Sequence, residues 1–121
     1  MNNKKMRLRF ASDFTYVREN GSKYPGKLLV LVVAPPRTEL RAGVVCGRKF
    51  STLAVKRNRA RRLLWESFRL LKCQIRPCEI IMIPRFPIRD AKMPQVKTEL
   101  ANLLEGAGVL EAAVMPTGIP R

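Results

Sequence analysis

The chain has 121 residues, room for one domain with a small core, and 46% of them are hydrophobic. Its 24 Lys and Arg against 9 Asp and Glu give a formal net charge of +15, which favours a polyanionic partner, nucleic acid first and an anionic membrane surface second. There is no histidine, so the commonest general base and metal ligand is missing, and the longest apolar run, residues 28–34, is far too short to span a membrane.

Residues 1–9 read as a basic, loosely ordered arm without the apolar stretch of a signal peptide. The sequence ASDFTYVRENG predicts a first helix, with Ser12 or Asp13 capping its start and Gly21 placed for a left-handed cap at its end. SKY (22–24) is a candidate short strand, and Pro25-Gly26 breaks it. Residues 27–34, KLLVLVVA, predict a buried strand stopped by Pro35-Pro36. RAGVVCG (41–47) reads as the next strand, close enough in sequence to pair with it antiparallel.

A long helix is expected over 52–72, with Ala60, Leu63, Leu64, Ser67, Leu70 and Leu71 on one arc facing the core. Pro77 ends any continuation. CEIIMIP (78–84) is a short apolar strand and RFPIRD a proline-punctuated loop. Residues 93–108 predict an amphipathic helix with Pro94 in its first turn and Val96, Leu100, Leu103 and Leu104 inward. The tail 111–121 is expected to fray. Helix, strands, helix, strand, helix, within a single domain over 1–121, is solved by an α+β sandwich with helices packed on one mixed sheet. Cys46, Cys73 and Cys78, odd in number and irregular in spacing, argue for free thiols in a reducing, cytoplasmic setting, where they act as small hydrophobes.

Five of the ten residues in VKRNRARRLL (55–64) are Lys or Arg. From Arg48 to Arg76 ten basic residues face a single acid, Glu66. A solvated helix face normally mixes signs, because like charges one turn apart cost a few tenths of a kcal/mol each. Folding stability alone would not select this pattern. Arginine also forks onto phosphate in a way lysine does not. Arg48 and Lys49 precede the helix and add charge at the end whose free N–H groups attract anions. Trp65 lies on the basic side; it either stacks on a base or packs at the helix edge against the first helix or the arm.

AVKRNRARRLLWESFR (54–69), together with Asp13-Phe14, Val17 and Gly21 and with RAGVVCGRK (41–49), resembles the protein subunit of bacterial ribonuclease P over residues 7–110. The resemblance implies a two-layer sandwich with a four-stranded mixed sheet, about three helices in αβββαβα order and a left-handed βαβ crossover. It implies a protein without a catalytic residue of its own, the cofactor of an endoribonuclease whose RNA subunit, with Mg²⁺, removes the 5′ leader of precursor tRNA. It places Arg48, Lys49, Lys56, Arg57, Asn58, Arg59, Arg61, Arg62 and Arg69 against the RNA subunit. Phe14, Arg18 and Lys27 fall to the single-stranded leader, with Phe14 in a cleft between the first helix and the sheet. The partners are the ribonuclease P RNA and precursor tRNA, with no membrane and no protein partner required. No metal is held by protein side chains alone. Arg18 stands where the family often has a second aromatic, and LLVLVV lacks the family's frequent tyrosine, so leader contacts lean on charge.

Four other readings remain at this point: an RNA-binding module of another ribonucleoprotein, a DNA-binding regulator, a stand-alone nuclease and a membrane-surface helix. The second lacks a helix at helix-turn-helix spacing before the basic one. The third lacks histidine, and Asp13, Glu19, Glu39, Glu66, Glu79 and Asp90 are scattered singly. The fourth would need an apolar arc that the core already requires.

Overall fold

Glu79–Pro84 (EIIMIP) carries four successive apolar residues, so a strand built from it must be covered on both faces and is best bonded on both edges. The computed structural model, which describes residues 6–111, meets both requirements. In chain order it holds helix α1 (Ala11–Asn20), strands β1 (Ser22–Pro25), β2 (Leu29–Ala34) and β3 (Arg41–Val44), helix α2 (Ala54–Leu71), strand β4 (Glu79–Pro84) and helix α3 (Met93–Gly106). The strands form one sheet in the order β1-β2-β4-β3. β2 lies antiparallel to β1 and to β4, whereas β3 runs parallel to β4.

The expected antiparallel pairing of β2 with β3 therefore does not form. β4, apolar on both sides, takes the inner place between them, and residues 35–40 carry the chain across. β3 is left at the edge with four residues. Its outer side is partly covered by the segment read as a free arm: Leu8 donates its N–H to the Ala42 carbonyl at 2.9 Å and is only 7% exposed. Residues 1–5, and the tail expected to fray apart from Glu111, lie outside the described residues.

α2 and α3 cover one face of the sheet, where Leu29, Leu31, Ala42, Ile80 and Met82 meet Leu64, Phe68, Leu100 and Leu104. α1 lies on the other face, where Val17 packs with Val32, Ala34 and Ile81. The buried arc of α2 is rotated from the expected one. Ala60, Leu64, Ser67, Phe68 and Leu71 are inside, while Leu70 is 38% exposed and Leu63 only half-buried. Phe68, two residues before Leu70 and so about 200° away around the helix, lies on the buried side in its stead. In α3, Val96, Leu100 and Leu104 are buried and Leu103 is half-buried. RFPIRD contains a short 3-10 turn, Phe86–Asp90. Cys46 and Cys78 are buried and Cys73 is exposed; burial pushes the Cys78 thiol up to about 12.

Gly21 does not adopt the expected left-handed cap, since its φ is −98°. A Cβ there would come within 2.4 Å of the Val17 carbonyl oxygen and 2.9 Å of a Val32 methyl carbon. The glycine permits close approach of α1 to the sheet. Asp13 does cap the helix, but from its third residue, accepting N–H bonds from Phe10 (3.0 Å) and Arg9 (3.2 Å). It also pairs with Arg37 at 3.0 Å, and Arg37 forks onto the fully buried Glu79 through Nε (2.7 Å) and Nη2 (2.6 Å). This network joins α1, the β2–β3 connection and β4.

The Phe10 N–H and the Arg37 guanidinium hold the Asp13 carboxyl below the ordinary carboxylate range. A depressed folded-state value means that this stabilisation is full above roughly pH 4 and is lost as pH falls through the folded value. Urea midpoints measured from pH 6 to pH 2.5 are expected to fall in the acid range, and Asp13→Asn should flatten that fall.

Candidate nucleic-acid interface

The rotation of α2 fixes where its basic side chains go. Asn58, Arg62 and Arg69 lie opposite the buried arc, with Arg57 and Arg61 on one shoulder and Lys56 and Arg59 on the other. Their environments differ. Arg57 donates to the Ser51 carbonyl at 2.9 Å. Arg61 donates to the Cys46 carbonyl at 2.9 Å and to Asn58 Oδ1 at 3.0 Å. Arg59 spans to the 3-10 turn and donates to the carbonyls of Ile88 (3.3 Å), Arg89 (3.1 Å) and Ala91 (2.7 Å). Arg69 pairs with Glu66 at 2.8 Å, which raises its pKa further.

The side chains of Arg62, Arg48, Lys49 and Lys56 make no hydrogen bond or ion pair among the described residues, and the first three residues are exposed. The nine residues expected at one RNA contact therefore divide. Arg57, Arg59 and Arg61 fasten the helix to its flanking loops, each keeping its charge at the surface. Arg48, Lys49, Lys56 and Arg62 have their full donor capacity to offer a phosphate. Two acids lie beside them among the described residues: Glu66, paired with Arg69, and the exposed Asp90, which lines one cavity with Lys56 and Arg59.

Phe14 is half-buried on the sheet side of α1, where the expected cleft lies. Its ring covers Gly43, at which a Cβ would come within 2.6 Å of Cε1 and 2.8 Å of Cζ. The absence of a side chain at Gly43 is what lets the ring lie on β3. Gly43→Ala is expected to push the ring outward and cost about 1–3 kcal/mol, measurable by urea denaturation. Arg18 is exposed one turn further along α1. Lys27 does not join them: it sits in the β1–β2 turn rather than on a strand, and lines a groove with Pro94, Gln95, Thr98, Glu99 and Asn102 beside α3.

Trp65 takes the packing alternative. It is half-buried against the core, edge-on to Phe68 at 5.8 Å between centroids, and the Arg7 guanidinium covers its ring at 4.4 Å. Phe86 escaped the sequence reading; it is 64% exposed and carries the Arg89 guanidinium 4.3 Å from its ring centre. The available signal was an aromatic between basic residues in the loop RFPIRD.

The chain matches a family model described as Ribonuclease P over residues 2–108. The ribonuclease P protein component of Herpetosiphon aurantiacus is 42% identical over 103 residues, covering 84% of this chain and 83% of that protein. Its counterpart from Roseiflexus castenholzii is 35% identical over 114 residues, covering 92% and 93%. Among solved structures, the RNase P protein of Staphylococcus aureus superposes with a TM-score of 0.78 at 26% identity, covering 88% of this chain and 98% of that one. That of Thermotoga maritima gives 0.73 at 29% identity, covering 83% and 96%.

Proposed function

The chain belongs to the family of ribonuclease P protein components, a family of tRNA processing, and on that premise we propose that it binds the RNA subunit through the α2 face and the 5′ leader of precursor tRNA through the α1 cleft. The observation that carries this reading is the set of cations whose side chains have no partner among the described residues, Arg48, Lys49, Lys56 and Arg62, on a surface where Glu66 is paired with Arg69 and Asp90 stands beside Lys56. Two RNAs brought together repel strongly, and cations placed within a Debye length of both, about 8–10 Å at physiological salt, lower that repulsion. The helix shoulders act indirectly: Arg57, Arg59 and Arg61 hold the loops that carry Arg48, Lys49 and the 3-10 turn. Phe14 and Arg18 supply an apolar surface and a charge for a single strand.

Hydrolysis in this reading is performed by the RNA, with Mg²⁺ supplying the metal chemistry there. Among the described residues no three of His, Cys, Asp or Glu come together. No helix among them is long and apolar enough to cross a membrane. The protein acts in the cytoplasm, where precursor tRNA is made.

Titration of ribonuclease P RNA and of an unrelated structured RNA of equal length, across a salt series, tests the assignment. Each neutralised phosphate adds roughly −0.7 to −0.9 to the log–log slope. A steep slope with both RNAs but clearly tighter binding to ribonuclease P RNA is expected. Equal affinities would favour an RNA-binding module of another ribonucleoprotein.

A further inference from the structure

Helix α1 is held to the sheet by little buried surface. Of its ten residues only Val17 is fully buried, with Asp13, Phe14 and Tyr16 half-buried. A helix this short does not persist in water on its own, so its angle over the sheet depends on the few groups that fasten it. At the C-terminal end the close contact at Gly21 does so. At the N-terminal end the fastening is polar and converges on one residue of the β2–β3 connection, Arg37. Its Nη2 atom lies 3.0 Å from Asp13 and 2.6 Å from Glu79, so a single nitrogen ties α1 to β4. Its Nε and its main-chain N–H both donate to the other Glu79 oxygen, at 2.7 and 3.1 Å, which fixes the connection itself. The guanidinium also lies 4.3 Å from the Tyr16 ring centre, and the Tyr16 hydroxyl donates to the Pro35 carbonyl at 2.9 Å. Glu79, fully buried in β4, is the anchor of the whole arrangement.

We propose that Arg37 is a positioning residue for the leader strand: through Asp13 and Tyr16 it fixes the angle of α1, and with it the place of the Phe14 ring over β3. The proposal rests on the leader-binding reading above and adds to it a residue that need not touch the strand. Asp13 and Tyr16 stand on either side of Phe14 in the chain, so the backbone that carries the ring is held from both directions. Phe14 has no polar group of its own, and its seat on Gly43 follows from where α1 stands. A ring fixed before the strand arrives loses no freedom on stacking, whereas a loose one must be ordered first, which lowers affinity. Arginine suits the task because its planar fork reaches two carboxylates at once, and lysine does not.

Removing Arg37 alone would leave the Glu79 carboxylate buried without its counter-charge, which is costly in itself. The test therefore combines Arg37→Met with Glu79→Gln: methionine replaces the arginine stem, and glutamine is neutral yet still accepts the main-chain N–H of residue 37. In holoenzyme reconstituted with ribonuclease P RNA, this double variant should keep wild-type affinity for the RNA subunit and for leaderless tRNA. Its ratio of precursor to leaderless affinity should fall roughly 5-fold, the lower end of what a lost aromatic–base stack costs. In the Phe14→Ala background the same double variant should change the ratio no further, because a positioning residue acts only through what it positions. In the free protein the α-protons of Gly43 lie against the Phe14 ring, and its ring current should displace their NMR signals. That displacement should shrink in the double variant. Tyr16→Phe, which removes only the hydroxyl bond to Pro35, should shrink it in the same direction while the protein stays folded.

If the double variant lowers the ratio equally with and without the Phe14 ring, Arg37 meets the strand itself and the positioning role is wrong. An unchanged ratio in the double variant, while wild type favours the precursor and Phe14→Ala weakens that preference, overturns the proposal and leaves the leader-binding reading standing. Should wild type not favour precursor over leaderless tRNA, or Phe14→Ala leave the ratio untouched, the leader-binding reading falls and the role of Arg37 with it. If the double variant does not fold, Tyr16→Phe decides: a lowered ratio with a shrunken Gly43 displacement supports the proposal, and a wild-type value of either one overturns it.

Discussion

Replacing Arg48, Lys49 and Arg62 together by alanine is expected to weaken binding to ribonuclease P RNA about 100-fold at physiological salt and to reduce the log–log salt slope by about 2–3. The size follows from counterion release, which makes each phosphate contact worth roughly a factor of five under these conditions. None of the three side chains makes a hydrogen bond or ion pair among the described residues, so removing them costs the fold little. The urea midpoint should stay close to wild type. Arg59→Ala should behave differently. It removes the donors to three main-chain carbonyls and should cost about 1–2 kcal/mol of stability, in the lower part of the range for charged donors because the side chain is exposed. Replacing Arg57, Arg61 and Arg62 together would be less diagnostic, because two of these also fasten loops. A loss of RNA affinity in that variant would mix two causes.

Phe68→Ala should destabilise the protein by about 3–5 kcal/mol. The ring is fully buried between α2 and the sheet and touches Trp65 edge-on. For a domain of this size such a loss is a large part of the whole stability, about 5–15 kcal/mol in ordinary proteins. Leu70→Ala, two residues on, should cost under about 1 kcal/mol, since much of that side chain is already in water. Thermal or urea unfolding of the pair checks the rotation of α2 directly. Equal costs would mean that the helix packs with the leucine arc read from the sequence. That rotation matters for function, because it decides that Arg62 points away from the core while Arg57 and Arg59 reach sideways.

α2 was legible because its signals are local: apolar residues recur every three or four positions, and the charge is overwhelmingly of one sign. Its expected extent, 52–72, agrees with Ala54–Leu71 to within two residues, and the family resemblance, not any local pattern, implied Phe14 between α1 and the sheet, where its ring lies. The pairing of β2 with β4 was not legible, because the strand that separates β2 from β3 comes after α2 and wins its place through burial on both faces. Local propensity carries no information about that competition. The division of the arginines was hidden for a related reason. Their partners are main-chain carbonyls of Cys46, Ser51, Ile88, Arg89 and Ala91, which look alike in any sequence. Glu79 reads as one scattered acid, yet it is the buried anchor of Arg37. Gly21 and Gly43 were read as backbone punctuation or not at all, and both serve close approach across the α1 layer.

The central claim is that this protein assists an RNA catalyst in processing precursor tRNA. The most direct measurement is 5′ cleavage of a precursor tRNA by ribonuclease P RNA at low Mg²⁺, with and without the protein, followed by mapping of the product end. The account predicts cleavage at the mature 5′ end only when both components are present, with the Arg48, Lys49, Arg62 triple variant needing more protein or more Mg²⁺. Cleavage by the protein alone, or no stimulation by a protein that still binds this RNA tightly, would contradict it.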